Sequence, residues 1–415
     1  MKPIRAILAF IILISTSSRS FAQWYSNGPY QVNEYINSLA VSGSLVFAGT
    51  EAFGGGAGGV YVSADNGGSW TAVNTGLTAS PNILVNALVV SGANIYAGLT
   101  TSGVFLSTNA GGNWVAIDSG IPAGTSVLAL AVSDSIVLAG TVDGTIYLST
   151  NYGTHWMEAD SGLPVNVEIQ SLAISDTNIF AGTDHRGVYL SVNRGRTWAP
   201  VNNGLPVNTG VSSFAIRGAN IFAGLNNRGV YLSTNNGANW TSVSTGLTEL
   251  NVTALAIADT AALADSTTIF AGIYTGGVFL SANNGALWQG EDAGLSTDEI
   301  YSLAVNSSYI FAGSFDDGVW VRPLSEFYTG LSTPAPATNP VSIYPNPNSV
   351  GNWQLLVGNE LLGSALEIFD EQGRLVFHSA ISNQQSEIKF GAASGVYYLR
   401  ISNDNVSVVR KLVKL

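Results

Sequence analysis

An eight-residue box, Ser-x-Asn/Asp-x-Gly-x-x-Trp, returns six times along this chain at a nearly fixed period. Its defining residues are Ser63, Asp65, Gly67 and Trp70 in the first copy, then Ser107, Asn109, Gly111 and Trp114, then Ser149, Asn151, Gly153 and Trp156. The later copies are Ser191, Asn193, Gly195 and Trp198, then Ser233, Asn235, Gly237 and Trp240, then Ser281, Asn283, Gly285 and Trp288. Successive tryptophans stand 44, 42, 42, 42 and 48 residues apart. A repeat of this length, with no helical period inside it, is the signature of a four-stranded propeller blade.

A second marker sets the number of blades. An apolar-Ala-Gly triplet appears seven times, ending at Gly49, Gly98, Gly140, Gly182, Gly224, Gly272 and Gly313. The seventh repeat lacks the box, with Arg322-Pro323 where Ser-x would follow Gly318-Val319-Trp320-Val321. Its outer strand is expected at the other end of the chain, because Trp24 to Pro29 resembles the segment that follows every box. Such closure pairs the two ends of the ring and removes an exposed strand edge. Within one repeat, Val211–Ile216, Asn220–Gly224, Gly229–Ser233 and Trp240–Ser244 read as strands, from short apolar alternation broken by Gly and Asn. The small Ala-Gly pair fits where blades converge. The aromatics Tyr61, Phe105, Tyr147, Tyr189, Tyr231, Phe279 and Trp320 are expected to fill the wider space between blades.

These repeats resemble the Asp-box (BNR) β-propellers, a superfamily that includes sialidases, some xyloglucan hydrolases, sortilin-type receptors and photosystem assembly factors. The resemblance covers residues 23–328. In those families the box closes the hairpin between the third and fourth strands, so its Ser, Asn/Asp, Gly and Trp are expected to be structural. Five copies carry Asn where the first carries Asp65. Asn turns the chain by the same local hydrogen bonding, so the change implies no lost catalysis.

Both ends of the chain point out of the cytoplasm. Lys2 and Arg5 precede an apolar run from Ala6 to Ile14 and a small-x-small pattern at Ser20-Phe21-Ala22, which reads as a secretory signal peptide over residues 1–22. No transmembrane segment is expected in the mature chain. A Pro- and Ala-rich linker over 329–342 precedes a small β-sandwich domain over 343–415. That domain resembles the type A sorting domain of type IX secretion. The resemblance is carried by Tyr344-Pro345-Asn346-Pro347, by Gly373 in the turn after Leu366–Asp370, by Gly395-Val396-Tyr397 and by the basic ending at Arg410-Lys411. It implies recognition by an outer-membrane translocon, a Bacteroidetes-type bacterium, and a product at the cell surface or outside the cell. The expected fold is therefore all-β: a seven-bladed β-propeller closed by an N-terminal strand, followed by a small β-sandwich domain.

The search for chemistry is mostly negative. The chain has no cysteine, which excludes thiol nucleophiles, thiolate metal sites and disulfides. His155, His185 and His378 lie in separate regions, so no metal site and no cofactor is expected. The first three blades contain no arginine, which counts against the arginine triad of a sialidase. Residues 23–327 hold 21 acidic residues against six arginines and no lysine, a net −15, so nucleic acid is not an expected partner.

Polar residues do gather on one rim. The loops between second and third strands carry Glu51, Asp143, Asp184-His185-Arg186, Asn226-Asn227-Arg228 and Asp316-Asp317. The connections between blades carry Glu168, Glu249 and Asp298-Glu299. Asp143, Asp184, Arg186, Arg228, Asp316 and Asp317 are the candidate ligand-binding residues, and no catalytic residue is assigned. Two functions are open. One is a non-catalytic surface or secreted propeller that binds a glycan, a protein or an envelope component. The other is a secreted glycoside hydrolase with paired rim carboxylates, such as Asp184 with Asp316 or Asp317. Blades close to minimal length favour the first.

Overall fold

The computed structural model describes residues 24–415 apart from 27, 29–33, 53–57, 78–82, 259–267, 316, 328–340, 345–351, 358–362, 371–373, 383–384, 390–392, 403–406 and 415. The expected signal peptide, most of the linker, and Asp316, Pro345, Asn346, Pro347 and Gly373 lie outside the described residues. The chain divides into two compact units between Thr329 and Gly330.

The first unit contains seven four-stranded antiparallel sheets, the blades of the expected propeller. Their first strands are Glu34–Ser42, Val85–Ser91, Val127–Ser133, Ile169–Ser175, Val211–Arg217, Val252–Ala258 and Ile300–Val305. Six blades take all four strands from consecutive sequence. The seventh takes its outer strand from Tyr25–Ser26, which pairs with Val321 and Trp320. The N-terminal strand therefore closes the ring.

Close approach between neighbouring blades explains the small triplets. A Cβ on Gly313 would lie 2.6 Å from the Ile36 side chain, so the last blade meets the first at a contact only glycine permits. The corresponding glycines 49, 98, 140, 224 and 272 approach a Val or Ile of the following blade in the same way.

The box tryptophans join blades rather than filling their own. Trp114, Trp156, Trp198, Trp240 and Trp288 are at most 5% exposed. Trp198, for example, donates its Nε1 hydrogen to Ala159 O at 2.7 Å and its N–H to Ser161 O at 2.8 Å, both in the preceding blade. This is why the outer strand of the fifth blade spans only Thr241–Ser242, shorter than the expected 240–244. Trp240 turns its polar groups to Val201 O and Asn203 O instead of entering the ladder. Trp24 repeats the arrangement at the ring closure, donating to Glu291 O at 2.5 Å and Ala293 O at 2.9 Å.

Each box ties its turn with the same bonds. In the first, Ser63 Oγ donates to Asp65 Oδ1 at 2.8 Å and accepts the Gly67 N–H at 2.7 Å, and Asp65 Oδ1 accepts the Ser69 N–H at 2.8 Å. The five Asn boxes repeat the Ser-to-Asn bond at 2.8–3.0 Å. Asp65 also accepts from Ser69 Oγ at 2.8 Å, where Asn193 in the fourth box donates its Nδ2 hydrogen to Thr197 Oγ1 at 2.8 Å. The Ser69 hydroxyl and N–H, with the Ser63 hydroxyl, hold its carboxyl below the ordinary carboxylate value. A lowered carboxylate stabilises the fold above its unfolded pKa and loses that effect as pH falls through the folded one. Asp65→Asn is therefore expected to lower the melting temperature slightly at pH 7, and the difference should shrink as pH falls through the folded pKa of Asp65. A large loss at pH 7 would contradict the equivalence of the two side chains.

Where the seventh box is missing, Arg322 takes the Ser position and is 5% exposed. Its guanidinium reaches Glu291 at 3.0 Å and Glu326 at 3.3 Å and lies 4.1 Å from the Phe327 ring centre. Burial raises the Glu291 pKa, and the facing Arg322 opposes that rise. A short helix, Leu324–Phe327, follows and buries Leu324 and Phe327 against the last two blades.

The second unit has a three-stranded sheet and a four-stranded sheet. Trp353, Leu355 and Ile388 from the first join Leu366, Ile368, Leu399 and Ile401 from the second in one apolar core. Tyr397 contributes to that core and donates its hydroxyl to Ala393 O at 2.8 Å.

Candidate functional site

Every first strand breaks its register at the same point. The shift falls between Ile36 and Ser38 in the first blade and between Ile300 and Ser302 in the seventh, with equivalents in the five between. The residues in these bulges are Asn37, Asn86, Leu128, Gln170, Ser212, Thr253 and Tyr301. A bulge leaves ladder groups unpaired and re-aims a side chain. Here the unpaired carbonyls are taken by the preceding blade: Asn86 donates to Val127 O at 2.9 Å, Ser212 to Val252 O at 2.5 Å and Thr253 to Ile300 O at 2.6 Å. Where the bulge residue is Gln170 or Tyr301, the next serine does this, Ser171 to Val211 O at 2.7 Å and Ser302 to Ile36 O at 2.6 Å. The substitution releases Gln170 and Tyr301 for other partners.

The bulges sit at the end of the blades where the second-to-third loops meet the blade connections. Asp184 N–H donates to Glu168 O at 3.1 Å, Tyr274 N–H to Asn251 O at 3.0 Å and Thr100 N–H to Leu84 O at 3.0 Å. One arc of this inner mouth is aromatic. Tyr274, Tyr301, Tyr35 and Phe315 come from three successive blades across the ring closure. Tyr274 meets Tyr301 edge-on with centroids 5.7 Å apart, Tyr301 meets Tyr35 edge-on at 4.8 Å, and Tyr35 stacks on Phe315 at 4.4 Å. Tyr274 is 38% exposed and the other three are half-buried. Burial raises the Tyr301 pKa, reinforced by its hydrogen bond with Tyr274 and by Glu299, so it remains a neutral hydroxyl.

The polar residues occupy the rest of the mouth. Asp184 Oδ2 lies 2.6 Å from His185 Nδ1, whereas its Oδ1 is buried and has no protein partner. Asn226 donates to Gln170 at 3.4 Å, and Asn37 donates to Glu51 at 2.9 Å. Asp143 accepts from Thr141 and from the Thr145 N–H at 3.3 Å, which closes its own turn. Arg186 and Arg228 are exposed on the loops of blades four and five. Asp317 accepts from Ser296 Oγ at 3.0 Å in blade seven. Asp184 and Asp317 thus belong to blades three places apart, and Asp316 lies outside the described residues.

The aromatic arc was missed from sequence because its members are spread between positions 35 and 315. Aligning repeats on the Ala-Gly triplet gives the signal. The residue two places after the triplet is Glu51, Thr100, Val142, Asp184, Asn226, Tyr274 or Phe315, and only the last two blades place a ring there. Among the described residues no group of three or more His, Asp or Glu could hold a metal ion, and no helix is long and apolar enough to cross a membrane.

Comparison with known proteins separates the two units. Residues 342–415 match the family described as the secretion system C-terminal sorting domain. No curated protein matches the sequence. Among solved structures, the chain is similar to PorZ, described as an essential bacterial surface component of the type-IX secretion system of Porphyromonas gingivalis. The similarity has a TM-score of 0.58 and 14% identity over 92% of this chain, which spans 59% of PorZ. It is also similar to YCF48 from Cyanidioschyzon merolae, at TM-score 0.55 and 16% identity over 74% of this chain and 99% of that one. An ancestral GH74 enzyme is similar at TM-score 0.54 and 16% identity, over 94% of this chain and 63% of the enzyme. At these identities the likeness establishes a β-propeller fold. The sorting domain marks the chain for type IX export to the cell surface or the extracellular space.

Proposed function

We propose that this protein is a non-catalytic binding module of the cell surface or its surroundings, and that the inner mouth of the propeller takes a neutral glycan. The observation that carries this reading is the continuous arc of Tyr274, Tyr301, Tyr35 and Phe315 beside polar residues. The C–H face of a sugar ring packs on aromatic surface, while its hydroxyls need hydrogen-bond acceptors and donors placed around it. The orphaned Oδ1 of Asp184 is an acceptor of that kind, since a buried polar atom without a partner costs stability until something donates to it. Arg186 and Arg228 border the same rim and supply donors.

Short loops support binding over turnover. An acid and a nucleophile or base must flank one glycosidic bond, on the order of 5–10 Å apart. Asp184 and Asp317 come from distant blades, and Asp317 is engaged by Ser296.

The test is a glycan-array screen of the full chain, with bound glycans examined for cleavage by mass spectrometry. Tyr301→Ala and Tyr274→Ala are each expected to weaken binding about fivefold or more, since a stacking ring contributes on the order of 1 kcal/mol or above. Cleavage of the bound glycan would overturn the non-catalytic reading in favour of a hydrolase. Binding unaffected by both substitutions would overturn the placement at the mouth.

A further inference from the structure

Five of the six arginines of residues 23–327 fall between 186 and 228, in a propeller that otherwise has no basic side chain but Arg322. Two of them, Arg194 and Arg196, leave the fourth box on the face opposite the inner mouth. They border a groove of about 410 Å³ between blades three and four. Its apolar wall is Ile136, Leu148 and Val192, the last 69% exposed, and Thr150 and Thr177 bring hydroxyls to it.

Neither guanidinium forms an ion pair among the described residues. Asp134 and Asp176 border the adjoining depression beside Arg194 and do not pair with it. Arg194 holds a left-handed backbone, φ 60°, as do Asn66, Ala110, Tyr152, Asn236 and Asn284 at the same place in the other boxes. The turn imposes that conformation in every box, so the arginine there is a choice of side chain and not of backbone. Arg196 stands where two other boxes carry Ala238 and Ala286. The turn requires neither arginine.

We propose that this groove is a second binding site, for an acidic saccharide, with the two guanidiniums on one anionic substituent and the sugar ring against the aliphatic wall. Arginine suits this task because its planar fork presents paired donors to a carboxylate, sulfate or phosphate oxygen pair. The rest of the molecule narrows the ligand. A surface of net −15 repels a densely charged polymer, so two arginines can hold a sparsely charged chain but not a nucleic-acid backbone. The proposal is independent of the mouth, which lies on the opposite face.

Titration calorimetry of the full chain tests this with a neutral dextran oligomer, the same oligomer carrying one uronate, the same oligomer carrying one sulfate ester, and a single-stranded oligonucleotide. The double substitution Arg194→Asn with Arg196→Ala rebuilds the box found in other blades and should fold with unchanged circular dichroism. Wild type is expected to bind at least one acidic saccharide, more weakly as salt rises. The double variant should lose about tenfold or more of that affinity, since each lost guanidinium removes charge-assisted hydrogen bonds. Tyr301→Ala should leave it intact. Preference for the uronate oligomer over the sulfated one assigns a carboxylate, and the reverse assigns a sulfate or phosphate ester. Absence of binding to both acidic saccharides, equal binding by the double variant, or equal binding of the oligonucleotide would overturn the proposal.

Discussion

Gly162→Ala is expected to destabilise the propeller by about 3 kcal/mol and lower its melting temperature by roughly 5 °C or more. Gly162 lies in the segment after the third box, with φ 95°, and a Cβ there would stand 2.1 Å from the backbone oxygen of Trp198 in the next blade. A backbone atom cannot rotate aside as a side chain does, so the clash is relieved only by separating the blades. Separation would stretch the bonds that Trp198 makes to Ser161 O and Ala159 O. Gly218→Ala is the control. It has φ 55° and nothing within 4 Å of the added methyl, so only backbone strain opposes it, about 1 kcal/mol. Equal losses in the two variants would mean that strain, not the contact between blades, sets the requirement for glycine. The same contact recurs at Gly76, Gly120, Gly204 and Gly246, each facing the next box tryptophan at 2.1–2.2 Å.

Trp24→Ala should cost about 4 kcal/mol, the usual range for truncating a buried aromatic. Trp24 is 3% exposed and packs with Phe270, Leu280, Ile310, Trp320 and Phe327. Its position makes the consequence specific. It holds the N-terminal strand against blade six while Tyr25 and Ser26 pair with Val321 and Trp320 of blade seven. Losing it frees the closing strand and exposes the edge of the last blade, which invites pairing with other chains. Hydrogen exchange gives the decisive readout: the amides of Val319, Trp320, Val321 and Arg322 should lose protection well before those of Ile146–Ser149 in the third blade. Uniform loss of protection would show that the ring unfolds as one unit and that closure has no local role. Trp156→Ala removes a similar ring from within the series, where chain continuity holds both blades, and should leave the exchange order unchanged.

The blade count, the closing strand and the sorting domain were legible because each is written in local sequence. A box of Ser63, Asp65, Gly67 and Trp70 closes one turn through bonds spanning four residues, so its chemistry survives in the order of letters. Repetition at a nearly constant spacing then gives the number of units, since one blade cannot bury its face without the next. The rim candidates were legible only as a list of polar loop residues. Their separate fates, Asp143 closing its own turn, Asp184 keeping an unpartnered oxygen and Asp317 held by Ser296, depend on neighbours from other strands.

The sequence by itself determined an exported, acidic, all-β ring with a sorting domain, because periodicity, charge and local turn chemistry are properties of short windows. Tertiary structure alone decided that the box tryptophans bind blade to blade, that Tyr35, Tyr274, Tyr301 and Phe315 meet at one mouth, and that Arg194 and Arg196 border a groove with Ile136 and Leu148. Those contacts join residues about forty or more positions apart or on different blades, and closing the ring is what brings them within reach.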